Sequence, residues 1–523
     1  MVLEKRYICV HLGKDAIMRR MILARSIMDF YLSIPLAIRW IDGKLEYSPL
    51  IFEREESEII NYFIDQYRPD KIITIDCEES RDPISKALSL VPSIRDGAKG
   101  VVLVSRCLER SEGLWSERIN AIFGSYIASL NDYALLWTDR KVDEPIIKTI
   151  EELGAEEVVL VGDVKVREKF PGRMKRLNPP DIFKPESYAD FYKRIGGNID
   201  FSTLIFAFFT PLEGYTALAP LLASINRAPL VLYGHHSDPS LLQKADFDLL
   251  NALMRKWKPE YLLAVVTPYA ITPEWIRNLY RLCTLSTNSS IKVSAGIITG
   301  LTVEDASLLV ARRYALSVNL KDAIVYDSSS LLKDMLSIHG VYVHEAKVSN
   351  FKEGISDAHR LFELLKSTEA GIICINSHSN NDRMRFYDFS YMSPNPQAIL
   401  DKKIDRPLPK RIPPSIVLHG GCHSARISGG IGAPRHSLAL NFIRAGAISY
   451  IGTIMHNYPI PEARSRLYMM LYKFIVRKKS LGKILTEELN YELSHPSHER
   501  GETELPMFIL IGDPKISPEN ISP

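Results

Sequence analysis

The chain lacks an excess of either charge: 65 Lys and Arg stand against 62 Asp and Glu, a net of +3 over 523 residues. So even a balance gives no electrostatic footing for nucleic acid or an acidic polymer. No run reaches about 18 uninterrupted apolar residues, so no membrane span is expected. The opening MVLEKRYICVHLGKD sets charges before a short apolar run, without the long apolar stretch of a secretory leader. Cysteine is sparse. Cys9, Cys77, Cys107, Cys283, Cys374 and Cys422 are scattered and form no CxxC pair. That suits a cytoplasmic chain with core cysteines and at most one reactive thiol, and excludes a disulfide framework. Only three glutamines occur, Gln66, Gln243 and Gln397. Scarcity of a thermolabile amide fits a heat-adapted source.

What is present is strand after strand. Hydrophobic residues make up 46% of the chain, enough for several packed cores. Short runs rich in Val and Ile recur at Tyr7–Val10, Lys71–Ile75, Val101–Val104, Val158–Val161, Leu204–Phe209, Pro229–Tyr233 and Leu262–Val266. They continue at Ala323–Tyr326, Val341–His344, Gly371–Asn376, Ser415–His419, Ile448–Gly452 and Phe508–Ile511. Runs apolar on both faces, alternating with helical patterns, predict an α/β protein with doubly wound, mainly parallel sheets flanked by helices. Four prolines in Phe170–Ser187 and then Gly196-Gly197-Asn198 suggest a connector and a boundary near 198. A softer boundary falls near 317. The expected organisation is an N-terminal α/β unit over 1–198, serving as pro-domain, scaffold or partner surface. A first α/β subdomain over 199–317 and a catalytic one over 318–523 follow it. Tyr391–Pro414 carries six prolines and reads as a long functional loop.

Two strand ends carry chemistry. GIICINSHSNN runs from Gly371 into His378, and SIVLHGGCHS runs from Ser415 into Cys422. Both place a reactive side chain just past the carboxyl end of an apolar strand, where open α/β sheets build their sites. A cysteine nucleophile needs an imidazole to support its thiolate and to return a proton to the leaving amine. His378 precedes Cys422 by 44 residues, close to the His-then-Cys gap of caspases, although the caspase signature at the cysteine is absent. Gly420 and Gly421 would let the backbone turn and approach a substrate.

Residues from about 290 to 515 resemble the gingipain family of cysteine peptidases, in the clan that holds caspases and separase. The likeness rests on SAGIITGLTVEDASLLVARRYAL, IICINSHS, SIVLHGGC, SLALNFIRAGAISYIGT, SLGKILTEELN and FILIGDPKI, in that order. It implies a caspase-like C-terminal domain and a cysteine endopeptidase acting on a protein or peptide through a thioester. By it, Cys422 would be the nucleophile and His378 the general acid/base, with the amides of Ser379 and Cys422 facing the oxyanion. The family usually has Gly where this chain has Ser379, a residue with less φ freedom. Ala134–Asp163 also resembles one unit of bacterial cell-wall-binding repeats, a pattern any generic αβ layer produces.

Other readings stand beside this one. His419, Cys422 and His423 could hold a metal, though adjacent ligands fit a tetrahedral site poorly, and no metal or other cofactor is expected. His235-His236, at a strand end, marks a loop or lies near a domain seam. Gly429-Gly430-Ile431-Gly432 lacks the Lys-Ser/Thr of a phosphate loop. Asp513 reads as a turn-former, and Arg477–Lys479 as a solvated helix end. A catalytically silent scaffold on the same fold remains the alternative to an enzyme. The oligomeric state is not legible.

Overall fold

The computed structural model describes residues 18–41, 43–95, 97–105, 114–139, 141–166, 172–196, 198–209, 214–234, 244–285, 290–347, 355–394, 406–428, 434–455, 460–494 and 508–521. The expected strand at Tyr7–Val10, the His235-His236 pair and the glycines at 429–432 lie outside them.

The protein is α/β, with mostly parallel sheets flanked by helices. A ten-stranded sheet is its centre. In spatial order it runs Leu230–Tyr233, Thr203–Phe208, Tyr261–Val265, Ser294–Ile298, Phe508–Gly512, Ser449–Thr453, Ile416–His419, Ile372–Ile375, Asp322–Tyr326 and Tyr342–Glu345. Neighbours are parallel except where Ser449–Thr453 meets Phe508–Gly512. The two halves of the sheet therefore point in opposite directions, and the sheet runs without a break across residue 317. Its inner strands are buried on both faces, which is why they read as continuous apolar runs rather than alternating ones.

The N-terminal residues form smaller sheets. Leu50–Phe52, Arg20–Ala24 and Lys71–Ile75 make a parallel three-stranded sheet, and Ile38–Ile41 pairs with Lys44–Tyr47. Ala134–Thr138, Gly100–Ser105, Glu157–Val161 and Arg173–Leu177 make a parallel sheet of four. The last of these corrects the reading of Phe170–Ser187 as a connector. RMKRL is mostly polar because it is an edge strand with solvent on it, so it carries no apolar signal.

These sheets are tied to the large one by buried hydroxyls and rings. Tyr126 donates to the Ala228 carbonyl at 2.6 Å, and the Trp40 indole to the Ser224 carbonyl at 3.1 Å. The helix Pro185–Arg194 lies along the outer edge of the strand Leu230–Tyr233. Its Tyr188 and Tyr192 hydroxyls each donate to a carbonyl of that strand and accept the amide of the same residue, Leu232 and Leu230 respectively. Residues four apart on a helix rise about 6 Å, close to the spacing of two residues on a strand, so two tyrosines satisfy consecutive outward-facing groups.

Candidate active site

Four strand ends are in register on one side of the sheet. Tyr326 is opposite Ile375, Ile375 opposite His419, and His419 opposite Gly452. The residues that follow, Asp327, Asn376, Gly420 and Thr453, form a shelf beyond the carboxyl ends, and the chain continues from it into His378 and Cys422. The strands bearing the two expected reactive residues are immediate neighbours.

The histidine arm leaves the shelf as a hairpin. His378–Asn380 pairs with Arg383–Arg385, which pairs with Tyr391–Ser393, and Arg406–Pro407 completes a small four-stranded sheet. Part of the expected long loop is thus a β-structure. His378 is exposed, its ring set edge-on to that of Tyr387 with centroids 6.0 Å apart. Tyr387 stacks on buried Tyr326, whose hydroxyl accepts the Tyr387 amide and donates to Asp357 at 2.9 Å. Asp327 is 2% exposed and holds the shelf together. It accepts from Asn376 at 2.9 Å and pairs with Arg464 at 3.0 Å.

The cysteine turn is clamped from the next strand. The His423 amide donates to Met455, the Ala425 amide to Thr453, and the Thr453 hydroxyl to the Gly421 carbonyl. Ser424 donates to the His419 carbonyl at 3.0 Å while accepting the Thr453 amide. Cys422 is half-buried, whereas Cys77, Cys283 and Cys374 are buried. Burial pushes the Cys77 thiol up to about 12 and raises those of Cys283 and Cys374 further, because a thiolate loses solvation there.

Ser379 joins the two arms: its hydroxyl donates to the Cys422 carbonyl at 2.7 Å. It sits in the hairpin strand without positive φ, so the left-handed freedom of glycine is not needed at this position. The expectation that Gly420 and Gly421 serve the turn's conformation is corrected. Neither has a positive φ; the left-handed residue is His423, at φ +52°. The glycines matter for space. A Cβ on Gly421 would collide with the Ser379 hydroxyl, and one on Gly420 with Leu467.

His419 and His423 each have hydrogen-bond partners. His419 is wholly buried between Ser377 and Tyr450, and His423 Nδ1 lies 3.1 Å from the Ile454 carbonyl. Among the described residues no group of three or more His, Cys, Asp or Glu is placed to hold a metal ion, and no helix is long and apolar enough to cross a membrane. Asp513 does more than turn the chain: 2% exposed, it pairs with Arg313 at 3.1 Å and accepts from Tyr314. Ser377, Ser424, Tyr450, Asp327 and Arg464 escaped the sequence reading. The one available signal was a polar residue, His419, closing the apolar run SIVL.

No family model matches the chain, and no curated protein does. Solved structures do. A structure described as "Structure of Protease" aligns at 9% identity and TM-score 0.41, over 61% of this chain and 79% of the other. The complex of Porphyromonas gingivalis RgpB pro- and mature domains aligns at 10% identity and TM-score 0.43, over 60% and 79%. Cwp6 from Clostridium difficile aligns at 11% identity and TM-score 0.35, over 70% and 60%.

Proposed function

We propose that this chain is a cysteine endopeptidase of the caspase and gingipain type, acting on a protein or peptide. In this reading the Cys422 thiol attacks the scissile carbonyl and its proton passes to His378. The imidazolium returns that proton to the leaving amine as the thioester forms, and His378 then takes a proton from the water that hydrolyses it. The Ser379 and Cys422 amides are the donors offered to the oxyanion. The observation that carries the reading is the 2.7 Å bond from the Ser379 hydroxyl to the Cys422 carbonyl. It seats the backbone beside His378 against the turn that carries a half-buried thiol. The order of motifs in the sequence supports it independently.

The test is cleavage of a peptide library at elevated temperature, with Cys422→Ala as control. His378→Ala and Cys422→Ala should each lower kcat by about three orders of magnitude or more, and the double variant should cost little more, because residues acting as a unit are non-additive. His423→Ala should keep much of the rate. A larger loss at His423 than at His378 would reassign the base. No cleavage at all, with Cys422 alkylated no faster than the buried cysteines, would leave the silent scaffold.

A further inference from the structure

Two hydroxyls flank His378, and both reach the cysteine arm. Ser379 donates to the Cys422 carbonyl at 2.7 Å, and Ser377 Oγ lies 3.2 Å from His419 Nε2. His419 Nδ1 lies 2.8 Å from the Tyr450 hydroxyl, which donates to the Ser424 carbonyl at 3.0 Å. A phenol has one proton to give. Spent on a carbonyl, it leaves the Tyr450 oxygen to accept, so His419 carries its proton on Nδ1. Nε2 then presents a lone pair and accepts the Ser377 proton. Burial holds the His419 pKa down at about 3, so this neutral tautomer persists across the working pH range. The result is a directed chain from Ser377 through His419 and Tyr450 to Ser424, two residues beyond Cys422.

This chain and the Ser379 bond straddle the histidine. Among the described residues the His378 ring makes only the edge contact with Tyr387, so no carboxylate orients its Nδ1. Among the described residues, what holds the ring in place is the backbone on either side of it. Gly421 completes the fit, since any Cβ there would push Ser379 away. We propose that Ser377, Ser379, His419 and Tyr450 are positioning residues that set the histidine arm against the cysteine turn, an inference that rests on the peptidase reading. None of their side chains touches substrate in this scheme; the Ser379 amide is offered to the oxyanion, while its hydroxyl holds the Cys422 carbonyl. They act by fixing the distance between an imidazole and a thiol, where a misplacement of about 1 Å costs about a hundredfold in rate.

The experiment uses the full chain with Ser377→Ala, Ser379→Ala, Tyr450→Phe and, as conservative rescue, Ser379→Thr. Three readouts are taken: kcat and KM on a cleaved peptide, melting temperature, and the rate at which iodoacetamide alkylates Cys422 between pH 5 and 9, followed by mass spectrometry. The alanine and phenylalanine variants should lose about 10- to 100-fold in kcat with KM within about threefold. Their alkylation profiles should move to higher pH as the thiolate loses imidazole support, and Ser379→Thr should stay near wild type. Losses that track the melting temperature alone, with an unmoved alkylation profile, overturn the proposal. Should Ser377→Ala fail to fold, the part-buried Ser379 hydroxyl carries the test. Alkylation also separates the two readings. If wild type cleaves nothing, yet His378→Ala shifts the profile, serine variants that shift it likewise sustain the positioning role and those that do not overturn it. A wild-type profile indifferent to His378→Ala overturns both.

Discussion

At the scale of single residues, two buried groups give the stability opposite dependences on pH. His419 is held neutral, its pKa lowered to about 3 by burial, while an unfolded histidine titrates near about 6.5. As pH falls from there toward 3, the unfolded chain takes up a proton that the folded one refuses. Stability drops by about 1.4 kcal/mol per pH unit from this group. Asp305, 1% exposed, is raised to about 6 by burial despite Arg444 at 3.9 Å. Between about 4 and 6 the folded state holds the extra proton, so acidification stabilises through this group by a similar slope. The two oppose each other over that window. Buried Asp29, likewise raised to about 6, adds to the acid-stabilising side, so denaturant melts from pH 4 to 6 are read as differences from the wild-type slope. Relative to the wild type, the slope should become more stabilising with acid in His419→Gln and less stabilising in Asp305→Asn, each by about 1.4 kcal/mol per pH unit. Equal slopes in all three would contradict these assignments.

The glycine before Cys422 belongs to the same scale. Gly421→Ala brings a methyl group against the Ser379 hydroxyl and the Ser377 carbonyl. Overpacking of this kind costs about 1–3 kcal/mol. Because φ is not the obstacle, the variant should fold, melt lower and alkylate at Cys422 with an altered rate. A variant with wild-type melting and alkylation would show that the two arms are not in contact there.

Among elements, the helix Pro185–Arg194 is the one whose role differs most from its sequence description. It begins in the last three residues of what reads as a proline-rich connector, Phe170–Ser187, and beyond it Tyr188 and Tyr192 seal the edge strand Leu230–Tyr233. An open edge invites pairing with another chain. Tyr188→Phe and Tyr192→Phe each leave a buried amide and carbonyl without their partner, at about 1–3 kcal/mol apiece. We expect faster amide exchange at Leu230 and Leu232 in the variants, read by hydrogen–deuterium exchange. Protection unchanged in the double variant would mean the hydroxyls do not seal the edge.

For the whole molecule, the N-terminal residues are structurally bound to the rest whatever chemistry they serve. A fragment starting at residue 199 loses both edge-sealing tyrosines together with the Tyr126 and Trp40 bonds to Ala228 and Ser224. It should self-associate or aggregate, as size-exclusion chromatography with light scattering would report. A monomeric fragment melting like the full chain would show that residues 1–198 are dispensable to the fold.

The amino-acid sequence by itself determined the class of fold and singled out the two strand ends that lead into His378 and Cys422. Buried parallel strands must be apolar on both faces, so Gly371–Asn376 and Ser415–His419 announce themselves. A polar residue after such a run can only lie at the sheet's edge, which is why His378 and Cys422 stand out. Short and polar strands stayed hidden. Arg173–Leu177 is solvated and the hairpin from His378 has three-residue strands, too brief for any period to show. Only the tertiary structure decided which strands are neighbours, and with that everything that depends on pairs. The bonds from Ser377 to His419, from Tyr450 to Ser424 and from Asp327 to Arg464 join residues 26 to 137 positions apart. Serine, tyrosine and aspartate serve equally well in turns, caps and solvent, so nothing local marks them. Their roles exist only once parallel strands lie side by side and water has been excluded from between their ends.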